Sequence, residues 1–307
     1  MSQRKCLSCA YFDSTCSLSC AHRDSLSCAG SRKKPIMNTV LKYPGSKWST
    51  AGWIITNFPS GYEKMTYLEP FFGSGAVFFN KKRSLVETIN DLDGNVVNLF
   101  KQIRDNPEDL ERAVEYTPWA REEYSLSYEK TGDDLEDARR FLVRMWQAIG
   151  AKSSDITGWR SNIKAINGNV AQWGTALPKN IVKISSRLKH TNNRLVQIEC
   201  QPAVKLIKRY ARNNVFIYAD PPYVLSTRST RIYACEMKDA DHIELLQLLL
   251  KHPGPVMISG YMNDIYADIL KDWETQTMIA NCEGGLKREE VIWMNYDPMA
   301  QQLCLKI

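Results

Sequence analysis

Apolar positions along the chain follow two rhythms. "MTYLEP" (65–70), "LVETIN" (85–90), "LVQIEC" (195–200), "VFIYAD" (215–220) and "PVMISG" (255–260) are short β-type runs bounded by turn-forming residues. Behind them come stretches with helical spacing: "DGNVVNLFKQIRDN" (93–106), "PAVKLIKRYAR" (202–212), "DADHIELLQLLLKHPG" (239–254) and "MNDIYADILKDW" (262–273). "AGWIITNFP" (51–59) reads as a short helix stopped by Pro59, and "WETQTMIAN" (273–281) and "EEVIWMNY" (289–296) read as two closing strands. Strand alternating with helix predicts an α/β fold, a doubly wound Rossmann-like sheet.

The alternation breaks between residues 105 and 199. Helical stretches "NPEDLERAVEY" (106–116) and "LEDARRFLVRMWQAIGAK" (135–152) lead into a polar tract, "SSDITGWRSNIKAINGNVAQWGTALP" (153–178). This tract predicts an inserted, mainly helical domain at 105–199, flanked by the two parts of the sheet domain at 36–104 and 200–307. Residues 1–34 have few large apolar side chains and read as a small appendage.

With 307 residues, 44% hydrophobic and 24% charged, the composition is that of an ordinary globular protein large enough for one such domain and its insertion. No apolar run approaches the ~18–20 residues of a membrane span. The N-terminus lacks a signal-type apolar region, so a cytoplasmic location is expected, with no membrane partner. The net charge of +6 is compatible with a polyanionic partner without establishing one. Its basic clusters are spread out: "SRKKP" (31–35), "NKKR" (80–83), "DARRFLVR" (137–144) and "KISSRLKH" (183–190).

Cysteine usage divides the chain. Cys6, Cys9, Cys16 and Cys20 stand in a C-x2-C-x6-C-x3-C pattern, with His22 and Cys28 nearby. In a cytosolic protein such spacing favours a structural zinc over disulfides, and metal would have to replace the missing core; a disordered segment and a redox role are the alternatives. Cys200, Cys235, Cys282 and Cys304 are scattered as small buried residues would be.

Three places at the carboxyl ends of strands carry candidate chemistry. Glu69-Pro70-Phe71-Phe72-Gly73-Ser74-Gly75 is a glycine turn that brings backbone amides close to a ligand; the acid and aromatics suit an amino-bearing or sulfonium ligand better than a pyrophosphate. Asp91 ends the second strand, where an acid holds the hydroxyls of an adenosine ribose; alternatively it caps the following helix, which Asp93 could do equally well. Asp220-Pro221-Pro222-Tyr223 sets an acid, fixed carbonyls and an aromatic face side by side. Those groups together suit a flat base with an exocyclic amine.

"YPGSK" (43–47), "EPFFGSG" (69–75), Asp91 and "DPPY" (220–223), in this order and with an insertion between the glycine turn and DPPY, resemble the Dam-type DNA adenine-N6 methyltransferases. The resemblance spans about residues 36–297. It implies S-adenosylmethionine as methyl donor and double-stranded DNA as partner, with a monomer or weak dimer as the expected state. Tyr43 and Lys47 would contact the donor, Lys47 near its methionine carboxylate. Glu69, Phe71, Gly73 and Gly75 would shape the donor pocket, and Asp91 would hold the ribose. Asp220 and the Pro221 carbonyl would accept the adenine amine, and Tyr223 would stack on a flipped-out base. Some family members carry Asp at the position of Glu69.

The insertion would read the DNA sequence. Arg160, Asn162, Lys164 and Asn169 are base-edge candidates and Lys183, Arg187 and Lys189 phosphate candidates. Trp159 or Trp173 is either a duplex wedge or a core residue. Alternative readings are an RNA or cytosine-N4 amino-methyltransferase, or a catalytically silent DNA-binding regulator on the same fold.

Overall fold

The computed structural model describes residues 39–150, 152–163, 168–191, 193–228, 231–281 and 287–298. Seven strands form one sheet: β1 (Thr66–Glu69), β2 (Val86–Asn90), β3 (Leu195–Glu199), β4 (Val215–Ala219), β5 (Val256–Gly260), β6 (Glu274–Asn281) and β7 (Lys287–Met294). Their order is β3-β2-β1-β4-β5-β7-β6. The first five are parallel, and β7 runs antiparallel between β5 and β6. The chain turns outward from β1 through β2 to β3, then restarts on the other side at β4. The crevice at the carboxyl ends of β1 and β4 is thus the place where such sheets bind ligands.

Period-two alternation explains how the sheet is covered. Tyr67, Phe216, Tyr218, Met257, Ile292 and Met294 join one buried cluster, while their neighbours Leu68, Ile217, Ala219, Ile258, Val291 and Trp293 join the other. The second cluster takes in α9 (Ala203–Arg209), α10 (Asp239–Leu250) and α11 (Asp264–Ile269). The first takes in α1 (Ala51–Thr56), α2 (Ala76–Asn80) and α3 (Gly94–Asp105).

The tract after α3 is helical, as expected: α4 (Pro107–Glu115), α5 (Arg121–Leu126), α6 (Asp134–Gln147), α7 (Asn169–Trp173) and α8 (Ala176–Leu188). It does not stand apart from the sheet. Leu142, Trp146, Leu177, Ile181 and Leu188 lie in the same buried cluster as Val196 and Phe216. The expected boundary at residue 199 also shifts: Leu195–Glu199 pairs with β2 in register, Val86 opposite Leu195, so this strand belongs to the sheet.

A buried ionic group joins α8 to β2. Glu87 on β2 accepts from Lys81 and from both Arg187 terminal nitrogens, at 2.5 and 2.8 Å, and Arg187 also donates to the Phe78 carbonyl. Arg187 is therefore no phosphate contact. It lies next to the buried stripe Ile181, Ile184 and Leu188, and its charge is neutralised inside. Cys200, expected to be buried, is exposed, and Cys235 is half-buried. Cys6, Cys9, Cys16, Cys20 and Lys164 lie outside the described residues. Among the described residues no cluster of His, Cys, Asp and Glu is suited to a metal ion, and no helix is long and apolar enough to cross a membrane.

Candidate active site

Three acids reach one cleft from three strand ends. Glu69 closes β1, Asp91 follows β2, and Asp220 follows β4. The loop 43–47 and, packed against it, Tyr233 with Cys235, Glu236 and Met237 also line the cleft. The glycine turn between β1 and α2 has no room for side chains. Gly75 has φ 68°, and a Cβ there would come within 2.5 Å of Phe72 Cζ. Gly73, with φ 49°, would push its Cβ to 3.2 Å from the Tyr43 ring.

Glu69 is 2% exposed, and its carboxylate accepts from the Tyr67 hydroxyl at 2.6 Å. Burial pushes its pKa up to about 8, against the pull of that hydrogen bond and of Lys81. Among the described residues it has no ion-pair partner. A buried acid that lines the cleft without an ion-pair partner of its own fits an ammonium ligand.

The two acids after β2 divide their work. Asp93 caps α3, accepting from the Asn95 amide at 2.9 Å, and receives the Tyr43 hydroxyl at 3.4 Å. Asp91 is thereby left for the cleft. Its two oxygens accept the Gly73 and Asp93 amides at 2.8 and 2.9 Å, which ties the glycine turn to the end of β2. Burial raises its pKa to about 6. Leu92, 52% exposed, adds an apolar lip next to it.

At DPPY the acid and the ring are held by partners from elsewhere in the chain. Asp220 Oδ1 accepts from Ser259 Oγ at 2.8 Å and pairs with Lys47 Nζ at 3.0 Å. The Tyr223 hydroxyl donates to Glu290 Oε2 at 2.6 Å, and its ring meets Tyr261 edge-on with centroids 4.4 Å apart. Burial, then Asp220 and Glu290, hold this phenol well above its ordinary pKa, so it stays protonated. Lys47 Nζ stands 4.6 Å from the ring centroid and 4.0 Å from Glu290. Burial works against its charge, but the two acids outweigh it and raise its pKa.

Lys47, expected near the donor's methionine carboxylate, pairs here with Asp220. Tyr223, expected as an open stacking face, is rigid but buried beneath that ammonium. Pro221 is buried and Pro222 lines the cleft, as does Phe71. Ser259 and Glu290 were not identified from the sequence. Glu290 left one signal: a charge among the apolar residues of "EEVIW".

The base-reading candidates diverge. Asn162 is exposed. Arg160 is half-buried, its side chain donating to the Ala148 carbonyl at 3.2 Å. Asn169 accepts from Lys42 and donates to the Trp146 carbonyl, which leaves it committed inside the protein. Lys183 and Lys189 are exposed at α8 and its end. Trp173 is buried and donates to the Thr117 carbonyl at 2.8 Å, so it is a core residue; Trp159 is tied to Gln147 at 3.1 Å.

The type II methyltransferase M1.LlaDCHI of Lactococcus lactis subsp. cremoris is 26% identical, covering 86% of this chain and 98% of its own length. The type II methyltransferase M.MjaIII of Methanocaldococcus jannaschii is also 26% identical, covering 83% of this chain and 98% of its own. A solved rRNA methyltransferase, aviRa from Streptomyces viridochromogenes, covers 85% of this chain and 89% of its own at 12% identity and a TM-score of 0.37, which decides nothing about fold or substrate. The D12 class N6 adenine-specific DNA methyltransferases match residues 43–282, well over half of the 307 residues. The chain belongs to that family.

Proposed function

We propose that this enzyme acts as a Dam-type methyltransferase, with the donor in the cleft of Glu69, Asp91 and the loop 43–47, and a flipped-out adenine at residues 220–223. One observation carries the reading: acids at the ends of β1, β2 and β4 converge on a single cleft with the glycine turn. The donor set fits S-adenosylmethionine. Glu69 takes a cationic amine, Asp91 keeps lone pairs for a ribose diol, and Phe71 and Leu92 border a flat ring. When bound, the donor supplies a methyl group on a sulfonium.

The chain's own residues do the rest. A base in a duplex cannot reach this cleft, so it leaves the stack at a cost of a few kcal/mol. Asp220, oriented by Ser259, and the Pro221 carbonyl accept the two N6 protons. Hydrogen bonding of both protons would free the amine lone pair from the ring, and Asp220 would take the N6 proton lost on methylation, the spent donor leaving as a neutral thioether. Tyr223, fixed by Glu290, stacks on the purine, worth ~1–3 kcal/mol, once Lys47 has moved off its ring. Asn162 and Arg160 read neighbouring bases, and Lys183 and Lys189 contact phosphates.

The test is to incubate the full chain with labelled S-adenosylmethionine and mixed-sequence duplex DNA, then map the label. N6-methyladenine in one fixed sequence context is expected. Saturable donor binding with no label in DNA would favour the silent regulator instead.

A further inference from the structure

A second cavity, of about 190 Å³, lies between the start of α3 (Asp93, Asn95), Tyr128, one face of α6 (Phe141, Arg144, Met145) and residues 152–156. Its wall carries an arginine with no ion-pair partner among the described residues. On α6, Arg139 pairs with Glu123 and Glu136, and Arg140 pairs with Glu136. Arg144 has no acid within ion-pair distance among the described residues, and its buried Nε has no hydrogen-bond partner. Its guanidinium lies 5.4 Å from the ring centroids of Tyr128 and Phe141, and burial pulls its pKa down. Asn95 Oδ1, in the same wall, is a second buried polar atom without a partner.

Asp93 and Asp137 favour this charge only from beyond ion-pair distance. Asp93 serves Asn95 and Tyr43, Asp137 serves Thr131 and Lys130, and exposed Asp155 takes the Ser154 hydroxyl. Half-buried Lys152 adds a second cation to the wall. A charge kept in a cavity against its desolvation cost, between two aromatic rings and with its Nε unpartnered, is a site for an outside anion.

We propose that this cavity binds a phosphate group, Arg144 donating to its oxygens and Lys152 completing its neutralisation, and that the DNA backbone supplies it. The cavity adjoins the donor cleft. The Ser153 amide donates to the Ile232 carbonyl at 2.9 Å, and its hydroxyl accepts from the Ala234 amide at 3.0 Å. Both partners flank Tyr233 in the cleft wall. A phosphate held at residues 152–154 therefore steadies one wall of the donor cleft.

The assignment of DNA as the source rests on the family's substrate, and the test separates the two. DNA affinity of the full chain is measured by anisotropy across a salt series for wild type, Arg144→Gln and Lys152→Gln, with donor affinity and thermal midpoint measured in parallel. Arg144→Gln is expected to weaken DNA binding roughly three- to tenfold and lower the salt slope by about one, with donor affinity kept. Lys152→Gln, on a surface loop, should shift the slope the same way and covers the case in which Arg144→Gln does not fold. Inorganic phosphate is titrated against the thermal midpoint of each protein. Stabilisation of wild type but not of Arg144→Gln, with unchanged DNA affinity, keeps the phosphate site and assigns it to a free phosphate compound. If neither variant changes DNA affinity, salt slope or the response to phosphate, the proposal is overturned. Failure of wild type to methylate DNA would instead count against the active-site reading.

Discussion

Lys47 Nζ lies 3.0 Å from Asp220 Oδ1, where an adenine amine would have to donate its proton. A lysine ammonium and an exocyclic amine are both N–H donors, and both would sit against the Tyr223 ring. The lysine thus occupies the amine cradle until something draws it away. Lys47→Gln should let a target base enter without the donor. With 2-aminopurine at the target position, its donor-free fluorescence should exceed that of wild type; equal signals would refute the idea.

In the proposed mechanism Asp220 is the acceptor on which transfer should depend. Asp220→Ala is expected to lower the transfer rate on the order of a thousandfold, with donor affinity changed only a few-fold. Single-turnover methylation and equilibrium donor binding measure the two separately. A variant that kept most of its rate would remove Asp220 from the mechanism.

If Glu69 takes the donor's amine as proposed, donor binding should depend on pH. Its carboxyl, pushed up to about 8, is mostly protonated at neutral pH, and a cation in the cleft favours the ionised form. Binding should therefore release a proton below about pH 8, and affinity should rise as pH climbs toward that value. Calorimetry in buffers of different ionisation heat reads the proton directly. Glu69→Gln should bind more weakly and without the release; an unaltered proton count would contradict the assignment.

Asp91 and Asp93, two residues apart, should part company on mutation. Asp91→Ala removes a charged acceptor and the anchor of Gly73, and donor affinity should fall roughly ten- to hundredfold. Asp93→Ala removes a helix cap, and about 1 kcal/mol of stability should go with it. Denaturation and donor titration of both variants decide whether the division is real.

Breaking the ionic group beneath the sheet should cost more at its acid than at its base. Glu87→Gln strands Lys81 and Arg187 together in the interior, an expected loss of about 3–5 kcal/mol. Arg187→Met leaves Glu87 still paired with Lys81 and should lose less. Urea denaturation ranks them.

Strand positions and their acids were legible because a period of two and a turn residue are local signals. Glu69, Asp91 and Asp220 each end a run that could be read without any partner. The choice between Asp91 and Asp93 was not, since only the backbone direction at the start of α3 shows which carboxylate reaches the Asn95 amide. Ser259 and Glu290 depend on how β5 and β7 are ordered in the sheet, which no local pattern encodes. Arg187 was misread as a surface charge, although its position beside Ile184 and Leu188 already put it against the buried face of α8.

The placement of β7 has a consequence for how the enzyme is made. Glu290, which accepts the Tyr223 hydroxyl, is supplied by the strand that threads between β5 and β6. A nascent chain that has cleared the ribosome only as far as β6 carries every acid of the donor cleft but not the clamp on Tyr223. Truncated products ending there would lack the Glu290 contact to the Tyr223 hydroxyl and should transfer methyl groups poorly.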